Sequence, residues 1–201
     1  PSIRIGTTCR SSAKPRTGCL MESSELLRFV VTVLERLHLR YFVTGSTVTI
    51  FYGEPRFTND IDIVVDLPAD SVTAFCQAFP DDEFYVSEAA AGEAVRRHGM
   101  FNIIQPRTGL KVDVIVAPQT PFNQSRFARA ARVRAGADWE ASFASPEDAI
   151  LKKMDFYRAG GSDKHLRDIA GVLRTSGERI EHGYIERWAE SMGLTDIWQA
   201  I

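Results

Sequence analysis

The chain contains 201 residues, of which 44% are hydrophobic and 25% are charged, and its formal net charge is −2. This length is sufficient for one or two small domains with a buried core. No apolar run approaches the ~20 residues that cross a bilayer, so no membrane contact is expected. The cysteines Cys9, Cys19 and Cys76 indicate neither a disulfide framework nor a zinc site, which favours the cytoplasm as the location.

Residues 1–20 differ in composition from the rest of the chain. They carry four cations and no acid, which leaves 20 basic and 26 acidic side chains, a net charge of −6, in the remainder. The segment has no apolar stretch and no periodicity, and it is rich in Ser, Thr, Pro and Gly. We therefore predict a disordered tail or a cloning remnant in front of a domain that begins at Met21. The acidic remainder does not favour a broad nucleic-acid-binding surface.

A buried strand followed by a tight turn is predicted early in this domain. Residues 41–45 are mostly β-branched and aromatic, which is typical of a short strand in a core. Gly45 permits a sharp turn and a close approach of a ligand to the backbone. Ser46 is then expected to cap a helix over residues 47–52, whose free amide groups form an anion-binding site.

Two aspartates open the next predicted strand, residues 60–66. Side chains two residues apart on a strand point to the same face, so Asp60 and Asp62 are expected to lie side by side. The isoleucines that alternate with them enter the core. An Asp-x-Asp pair alone is a weak signal, and its place after a glycine-containing turn is what indicates metal and nucleotide chemistry.

A third carboxylate, Asp113, lies on a predicted strand over residues 110–117, with Lys111 on the same face. Lys111 would either contact a nucleotide or pair with this acid. Two like charges ~4 Å apart repel by about 4 kcal/mol at an effective dielectric near 20, so three adjacent carboxylates require a cation. Mg²⁺ or Mn²⁺ is expected, because hard cations take oxygen ligands. The sequence thus predicts a metal site at Asp60 and Asp62, which Asp113 would complete if its strand lay next to theirs.

The other predicted elements give a mixed α and β pattern and then a helical one. The pattern predicts helices over residues 23–37, 69–79, 88–97 and 122–133, and strands over residues 84–86, 100–105 and 139–143. The strand over 100–105 and the one that carries Asp113 are expected to form a hairpin. Ser145 and Pro146 mark a new helix start, and further helices are predicted over residues 146–158, 163–175, 181–192 and from 195. We therefore divide the chain into an α/β core, residues 21–144, and a C-terminal helical module, residues 145–201.

The order of a hydrophobic strand, Gly45-Ser46, a gap, and Asp-Ile-Asp-Ile at residues 60–63 resembles the signature of the DNA polymerase beta-like nucleotidyltransferase superfamily. The resemblance implies an α+β fold with a mixed β-sheet flanked by helices, followed here by a small helical module. It implies a nucleoside triphosphate (NTP) as co-substrate, with its phosphates on Gly45 and Ser46. In that family the first two aspartates bind both metal ions. The third completes one metal site and helps to activate the attacking hydroxyl, a role that falls on Asp113.

Less specific motifs make the chain similar, within this superfamily, to the nucleotidyltransferase toxins of bacterial toxin–antitoxin and abortive-infection systems. Arg56 and Thr58 precede the metal strand and would share its face, although Arg56 also fits a surface loop. Lys153, two turns into the capped helix, is expected to reach phosphate, and Arg167-Asp168 fits either the site or a structural ion pair. The resemblance implies transfer of a nucleoside monophosphate (NMP) to RNA, such as tRNA, or to protein, with release of pyrophosphate. It also implies a cognate antitoxin as partner.

Two other functions fit the same residues. An antibiotic-type nucleotidyltransferase would use the same site with a small aminoglycoside or lincosamide as acceptor. A non-catalytic nucleotide-binding or partner-binding module is the alternative outside the enzymes. The intact set of three aspartates disfavours that module, because binding alone does not need clustered acids.

Two surface features bear on partners. A basic run is interpreted either as a solvated helix face or as a patch that contacts RNA phosphates. Its members are Arg126, Arg129, Arg132 and Arg134. A homodimer would form through the helical module or through exposed aromatic residues such as Trp188 and Trp198.

Overall fold

The computed structural model describes residues 23–53 and 60–201. In this part of the chain seven strands form one sheet: β1 (Tyr41–Thr44), β2 (Asp60–Val65), β3 (Tyr85–Val86), β4 (Met100–Gln105), β5 (Leu110–Val116), β6 (Ala131–Arg134) and β7 (Glu140–Phe143). The helices are α1 (Ser23–Arg36), α2 (Gly45–Tyr52), α3 (Val72–Gln77), α4 (Glu88–Arg97), α5 (Pro121–Arg129), α6 (Pro146–Gly160), α7 (Asp163–Ser176), α8 (His182–Met192) and α9 (Thr195–Ala200). None of these helices is long and apolar enough to cross a membrane. The predicted tail, residues 1–20, and the predicted site residues Arg56 and Thr58 lie outside the described residues.

The sheet is mixed, with strand order β3-β4-β5-β2-β1-β7-β6. Strand β2 lies at the centre, antiparallel to β1 and parallel to β5. The predicted hairpin of β4 and β5 is present. These observations confirm the predicted α+β class, a mixed sheet flanked by helices. The register places Asp62 opposite Thr44 on one side and opposite Asp113 on the other.

The strands that carry the aspartates are anchored by a continuous core. Phe42 on β1, Ile63 on β2 and Val114 on β5 are fully buried, and helix α1 contributes Leu26 and Leu34 to the same cluster. Burial of each such side chain contributes about 1.5–3 kcal/mol to the free energy of folding. Packing of these side chains therefore fixes the backbone of the central strands, whether or not a ligand is bound.

The C-terminal helices α6 to α9 enclose a second hydrophobic cluster. Helix α6 begins as predicted, because the Ser145 Oγ accepts a hydrogen bond from the amide of Asp148 at 3.1 Å. A hydrogen bond links the module to α2, because the Ser176 Oγ donates to the carbonyl of Tyr52 at 3.0 Å. The division of the chain at residue 145 stays a prediction.

Trp188 and Trp198 are partly buried within this helical module. The ring of Trp188 lies 4.9 Å from that of Phe122, and the ring of Trp198 lies 5.7 Å from that of His182. Both indoles are thus used for packing inside the chain. Both remain partly exposed, and the homodimer stays a prediction.

The predicted helix over residues 122–133 is wrong in its second half. Helix α5 ends at Arg129, and the chain turns at Ala130 into the edge strand β6. Val133 pairs with Ala141 of β7, so hairpin formation with β7 overrides the three-residue spacing that suggested a longer helix. The basic run is therefore divided between two elements and does not form one helix face. Arg126 is buried, whereas Arg132 is exposed.

Candidate active site

The turn between β1 and α2 is built around Gly45. Its φ of +66° lies in the left-handed region, where a side chain is strained. A Cβ on Gly45 would lie 1.9 Å from the Oδ2 of Asp62, so the backbone of the turn rests directly against this carboxylate. Glycine is therefore required here for two reasons, the backbone angle and the contact.

Ser46 is not the helix cap that the sequence predicted. Helix α2 begins at Gly45, with Thr44 at the N-cap position and without a side-chain cap hydrogen bond. Ser46 lies inside the first turn because the left-handed glycine already reverses the chain. Gly45 and Ser46 nevertheless line the same cleft as Asp62.

The three predicted aspartates lie on two neighbouring strands. Asp60 and Asp62 share one face of β2, and Asp113 is opposite Asp62 on β5. Burial raises the pKa of Asp62, and the charges of Asp113 and Asp60 raise it further, while Lys153 and Lys111 lower it. The sheet therefore holds carboxylates close to one another despite their mutual repulsion, which a bound cation would reduce.

The carboxylate of Asp113 is held by two side chains. The Nζ of Lys111 lies 3.0 and 3.1 Å from its two oxygens, and the Nδ2 of Asn102 donates to its Oδ1 at 2.5 Å. The bond to Asp113 raises the pKa of Lys111. Pairing of Lys111 with the neighbouring acid is thus observed, and its contact with a nucleotide stays a prediction.

The aspartates suit a divalent cation because they are oxygen donors that point to the same face of the sheet. Their carboxylates do not, however, converge on a single point. Within residues 23–53 and 60–201, no three His, Cys, Asp or Glu side chains converge on one ion position. Oxygen donors on adjacent strands suit Mg²⁺ or Mn²⁺. Binding of one ion by all three would require Asp113 to exchange its contact with Lys111 for the ion.

Lys153 turns inward from α6 and is 5% exposed. Its Nζ lies 2.6 Å from the Oδ2 of Asp168 on α7, and both side chains are less than a tenth exposed. The charge of Lys153 also lowers the pKa of Asp62, which puts it within electrostatic range of that carboxylate. Arg167 is exposed, so Asp168 is the member of the predicted Arg167-Asp168 pair that reaches the cleft lysine. A contact of Lys153 with phosphate stays a prediction.

Replacement of Lys153 by methionine is expected to lower the free energy of unfolding by roughly 3 kcal/mol. The buried carboxylate of Asp168 would lose the cation that neutralises it, whereas methionine preserves the volume of the side chain. Lys152→Met is the matched control, because Lys152 pairs with the less buried Asp155 and should change stability by less than about 1 kcal/mol. Urea denaturation measures both variants, and equal losses would contradict this assignment.

A cleft of about 780 Å³ joins Gly45, Ser46, Asp62 and Lys153, whereas Asp60 and Asp113 are not among its lining residues. Its sheet side contains Val64, Ile115 and Ala117, which continue the face of Asp62 along β2 and β5. Its helix side contains Phe156 and His165, whose rings lie 5.7 Å apart. The cleft is therefore polar at the glycine turn and largely apolar beyond it.

Apart from Lys153, sequence reasoning missed the helix side of the cleft. Phe156 lies three residues after Lys153, a spacing that places both side chains on one face of α6, so the pattern could have identified it. His165 gave no such signal, because a single histidine on a helix does not reveal which surface it faces. Its Nδ1 is buried without a hydrogen-bond partner among the described residues, and burial lowers the pKa of the ring.

Arg126 was also missed as a cleft residue. It is 5% exposed and lines the cleft together with Asn123, whose Oδ1 accepts a hydrogen bond from its Nη1 at 3.1 Å. The guanidinium carbon lies 4.6 Å from the ring centre of Phe42 and 5.6 Å from that of Phe122. Burial lowers the pKa of Arg126, and the charge of Asp148 opposes this shift.

A second polar group lies behind Arg126, where α5, α6 and α8 meet. Asp148 is fully buried, and its Oδ1 accepts a hydrogen bond from the hydroxyl of Tyr184 at 2.8 Å. Its Oδ2 has no hydrogen-bond partner among the described residues. Burial raises the pKa of Asp148, and the bond from Tyr184 and the charge of Arg126 lower it. The hydroxyl of Tyr184 also lies 3.0 Å from the Oγ of Ser125, so Tyr184 links this carboxylate to α5.

Tyr184→Phe is expected to destabilise the fold by about 1–3 kcal/mol, because a buried carboxylate oxygen loses its donor. The exposed Tyr85, 60% accessible on β3, is the matched position. Tyr85→Phe should change stability by less than about 0.5 kcal/mol. Thermal and urea unfolding of both variants provide the measurement, and an unchanged Tyr184→Phe protein would show that the bond is not stabilising.

Comparison with solved structures identifies the fold. The chain resembles an antigenic nucleotidyltransferase-like protein from Paracoccidioides brasiliensis with a TM-score of 0.53 and 20% identity, over 76% of this chain and 76% of that one. It also resembles the lincosamide antibiotic adenylyltransferase LnuA in its lincomycin-bound form, with a TM-score of 0.50 and 15% identity, over 76% of this chain and 96% of that one. No family model and no curated protein matches the sequence. The chain has the nucleotidyltransferase fold.

Proposed function

We propose that the chain is a metal-dependent nucleotidyltransferase that moves an NMP from an NTP to an acceptor hydroxyl. The observation that carries this proposal is the contact between the turn at Gly45 and the carboxylate of Asp62, directly opposite Asp113. A phosphate-binding turn beside paired carboxylates, at the mouth of a cleft, suits this chemistry. The likeness in fold to an adenylyltransferase is consistent with it.

The triphosphate would lie on Gly45 and Ser46, which line the cleft beside Asp62. Lys153, on the opposite wall, would contact the phosphates with the positive charge that now faces Asp168. Three further residues are proposed as nucleotide contacts from the sequence alone. These are Arg56, Thr58 and Lys111.

The reaction forms one bond and breaks one bond at the α-phosphorus. The acceptor oxygen attacks this phosphorus, the bond to the oxygen that bridges to the β-phosphorus breaks, and pyrophosphate leaves with the bonding electrons. The proton of the acceptor hydroxyl passes to the carboxylate of Asp113. Asp60, Asp62 and Asp113 would hold Mg²⁺ or Mn²⁺. The bound ion would neutralise the negative charge that develops on the leaving oxygen.

A small molecule is the acceptor that the cleft favours. Its volume of about 780 Å³ falls in the range of small-ligand pockets, which suits a small acceptor better than a macromolecule. The similar structure of LnuA is lincomycin-bound. We therefore propose transfer to a hydroxyl of a small molecule, as in antibiotic-type nucleotidyltransferases.

The toxin-type function is the second candidate. It has RNA, such as tRNA, or protein as acceptor and a cognate antitoxin as partner. What favours it is the set of sequence motifs and two exposed arginines, Arg132 and Arg134, on the edge strand β6. The burial of Arg126 leaves this basic surface smaller than the sequence suggested.

The acceptor is tested with α-labelled ATP, CTP, GTP and UTP in the presence of Mg²⁺ or Mn²⁺. The acceptor panel contains aminoglycosides, lincosamides, total bacterial RNA and the protein itself, and EDTA provides the metal-free control. Label on a small molecule, lost with EDTA, is the expected result. Label on RNA or protein would select the second candidate. Nucleotide binding without label on any acceptor would favour the binding module.

A further inference from the structure

The inner end of the cleft offers hydrogen-bond donors without acceptors. The Nη1 of Arg126 donates to the Oδ1 of Asn123, and the Nδ2 of Asn123 donates to the carbonyl of Pro118 at 3.0 Å. The amide of Asn123 is thus used to orient the guanidinium. A guanidinium carries five N–H donors and no acceptor. The Nε of Arg126 is buried without a partner among the described residues, so a ligand would meet the Nη atoms. A ligand that reaches them must present acceptor atoms.

Apolar residues of the cleft lining lie beside Arg126. Val64 is the strand neighbour of Phe42, whose ring Arg126 covers, and Ile115 is the strand neighbour of Val64. An apolar lining of this kind suits the faces of a planar heterocycle, whose polar edge is bound by a few placed groups. Arg126 is the buried charged group at this position.

The distance from the glycine turn fits a nucleoside. Arg126 covers the ring of Phe42, which lies two residues before Thr44 on β1. At about 3.3 Å per strand residue, this places Arg126 about 7 Å further along the sheet than the start of the turn. A molecule whose phosphates lie on Gly45 and Ser46 would extend its base along this direction within the same cleft.

We propose that Arg126, oriented by Asn123, binds the base of the nucleotide and selects guanine over adenine. This inference rests on the proposed function, because it places the triphosphate on the glycine turn. Guanine presents O6 and N7 as two neighbouring acceptors, which an arginine binds with two N–H groups. Adenine places an amino donor beside its N7, and this donor would face the guanidinium.

The test is direct binding of the α,β-methylene analogues of GTP and ATP, measured by calorimetry with Mg²⁺ and without acceptor. The wild type is expected to bind the GTP analogue about tenfold or more tightly than the ATP analogue. Arg126→Met should reduce this ratio to about twofold or less. Arg134→Met is the matched control, since Arg134 is exposed and lies outside the cleft.

Asn123→Asp is a second variant, and it leaves the Arg126 side chain in place. A carboxylate at this position would pair with Arg126 and occupy its donors, so the preference for the GTP analogue should also fall. Equal binding of both analogues by the wild type, or a guanine preference that survives in folded Arg126→Met or Asn123→Asp protein, would overturn the assignment and leave the proposed function standing. Failure of both analogues to bind would also overturn the assignment, and the labelling with all four NTPs would then decide on the proposed function separately.

Discussion

The Asp62→Asn variant is expected to lose about 1,000-fold or more in the rate of nucleotidyl transfer while keeping its fold. Asp62 is the aspartate that contacts the glycine turn and faces Asp113. Asparagine has the same shape but lacks the negative charge that a divalent cation requires, and metal stabilisation of the leaving group is worth several kcal/mol. Initial rates with the best acceptor, together with circular dichroism, measure both parts of the prediction.

The same variant should be more stable than the wild type when divalent cations are removed. Burial and the charges of Asp113 and Asp60 raise the pKa of Asp62, so its ionised form is unfavourable in the folded chain. Such a carboxyl stabilises the fold when protonated, and this contribution is lost as the pH rises through its folded pKa. At neutral pH in EDTA, the melting temperature of Asp62→Asn should therefore exceed that of the wild type.

Asp66→Asn is the matched control for this variant. Asp66 follows β2, and its carboxylate is bound by Arg40 and Gln119, away from the cleft lining. Its replacement should leave transfer within a few-fold of the wild type. Undiminished transfer by Asp62→Asn would remove the proposed metal site, and a loss of the same size in Asp66→Asn would show that the effect is not specific to the cleft.

Gly45→Ala is expected to lower both stability and activity. An alanine with φ near +66° is strained by about 1–2 kcal/mol, and its Cβ would lie 1.9 Å from the Oδ2 of Asp62. Either the turn or the carboxylate must move, so the spacing between the phosphate site and the metal ligand changes. We expect at least about a 100-fold loss in transfer rate, because misplacement of about 1 Å costs this much.

Gly109→Ala is the control that distinguishes the effect of backbone strain from the effect of the contact with Asp62. Gly109 has a similar φ of +72°, but a Cβ there meets nothing within 4 Å. This variant should lose about 1–2 kcal/mol of stability and keep its activity. If Gly45→Ala behaved in the same way, with transfer unchanged, the contact with Asp62 would have no role in positioning the site.

The motif strands could be predicted from the sequence because local patterns determine them. Alternation of apolar and acidic residues placed Asp60 and Asp62 on one face of a strand, and the register with β5 places Asp113 opposite Asp62. The pairing itself could not be predicted, since strands with more than forty residues between them along the chain meet only through the sheet order. Alternation indicated the pairing of Lys111 with Asp113 as one of two possibilities, whereas the contact from Asn102 depends on the register of β4 with β5, which no local pattern gives.

The inner end of the cleft lay beyond sequence reasoning for a different reason. Arginines at three-residue spacing resemble a solvated helix face, and nothing local distinguishes a buried guanidinium from an exposed one. Arg126 is buried because α5 packs over Phe42, with Phe127 in edge contact with the same ring at 5.0 Å. The helix ends at Arg129 because the following residues pair with β7, which is also a long-range effect.

The most direct test of the central claim is to follow the two labels of one triphosphate. Wild-type protein is incubated with α-labelled or γ-labelled NTP, Mg²⁺ and the acceptor identified in the panel, and the products are separated. Nucleotidyl transfer predicts α-label on the acceptor and γ-label in pyrophosphate. The γ-label on the acceptor, or its release as inorganic phosphate while the α-label stays in the diphosphate, would contradict the account.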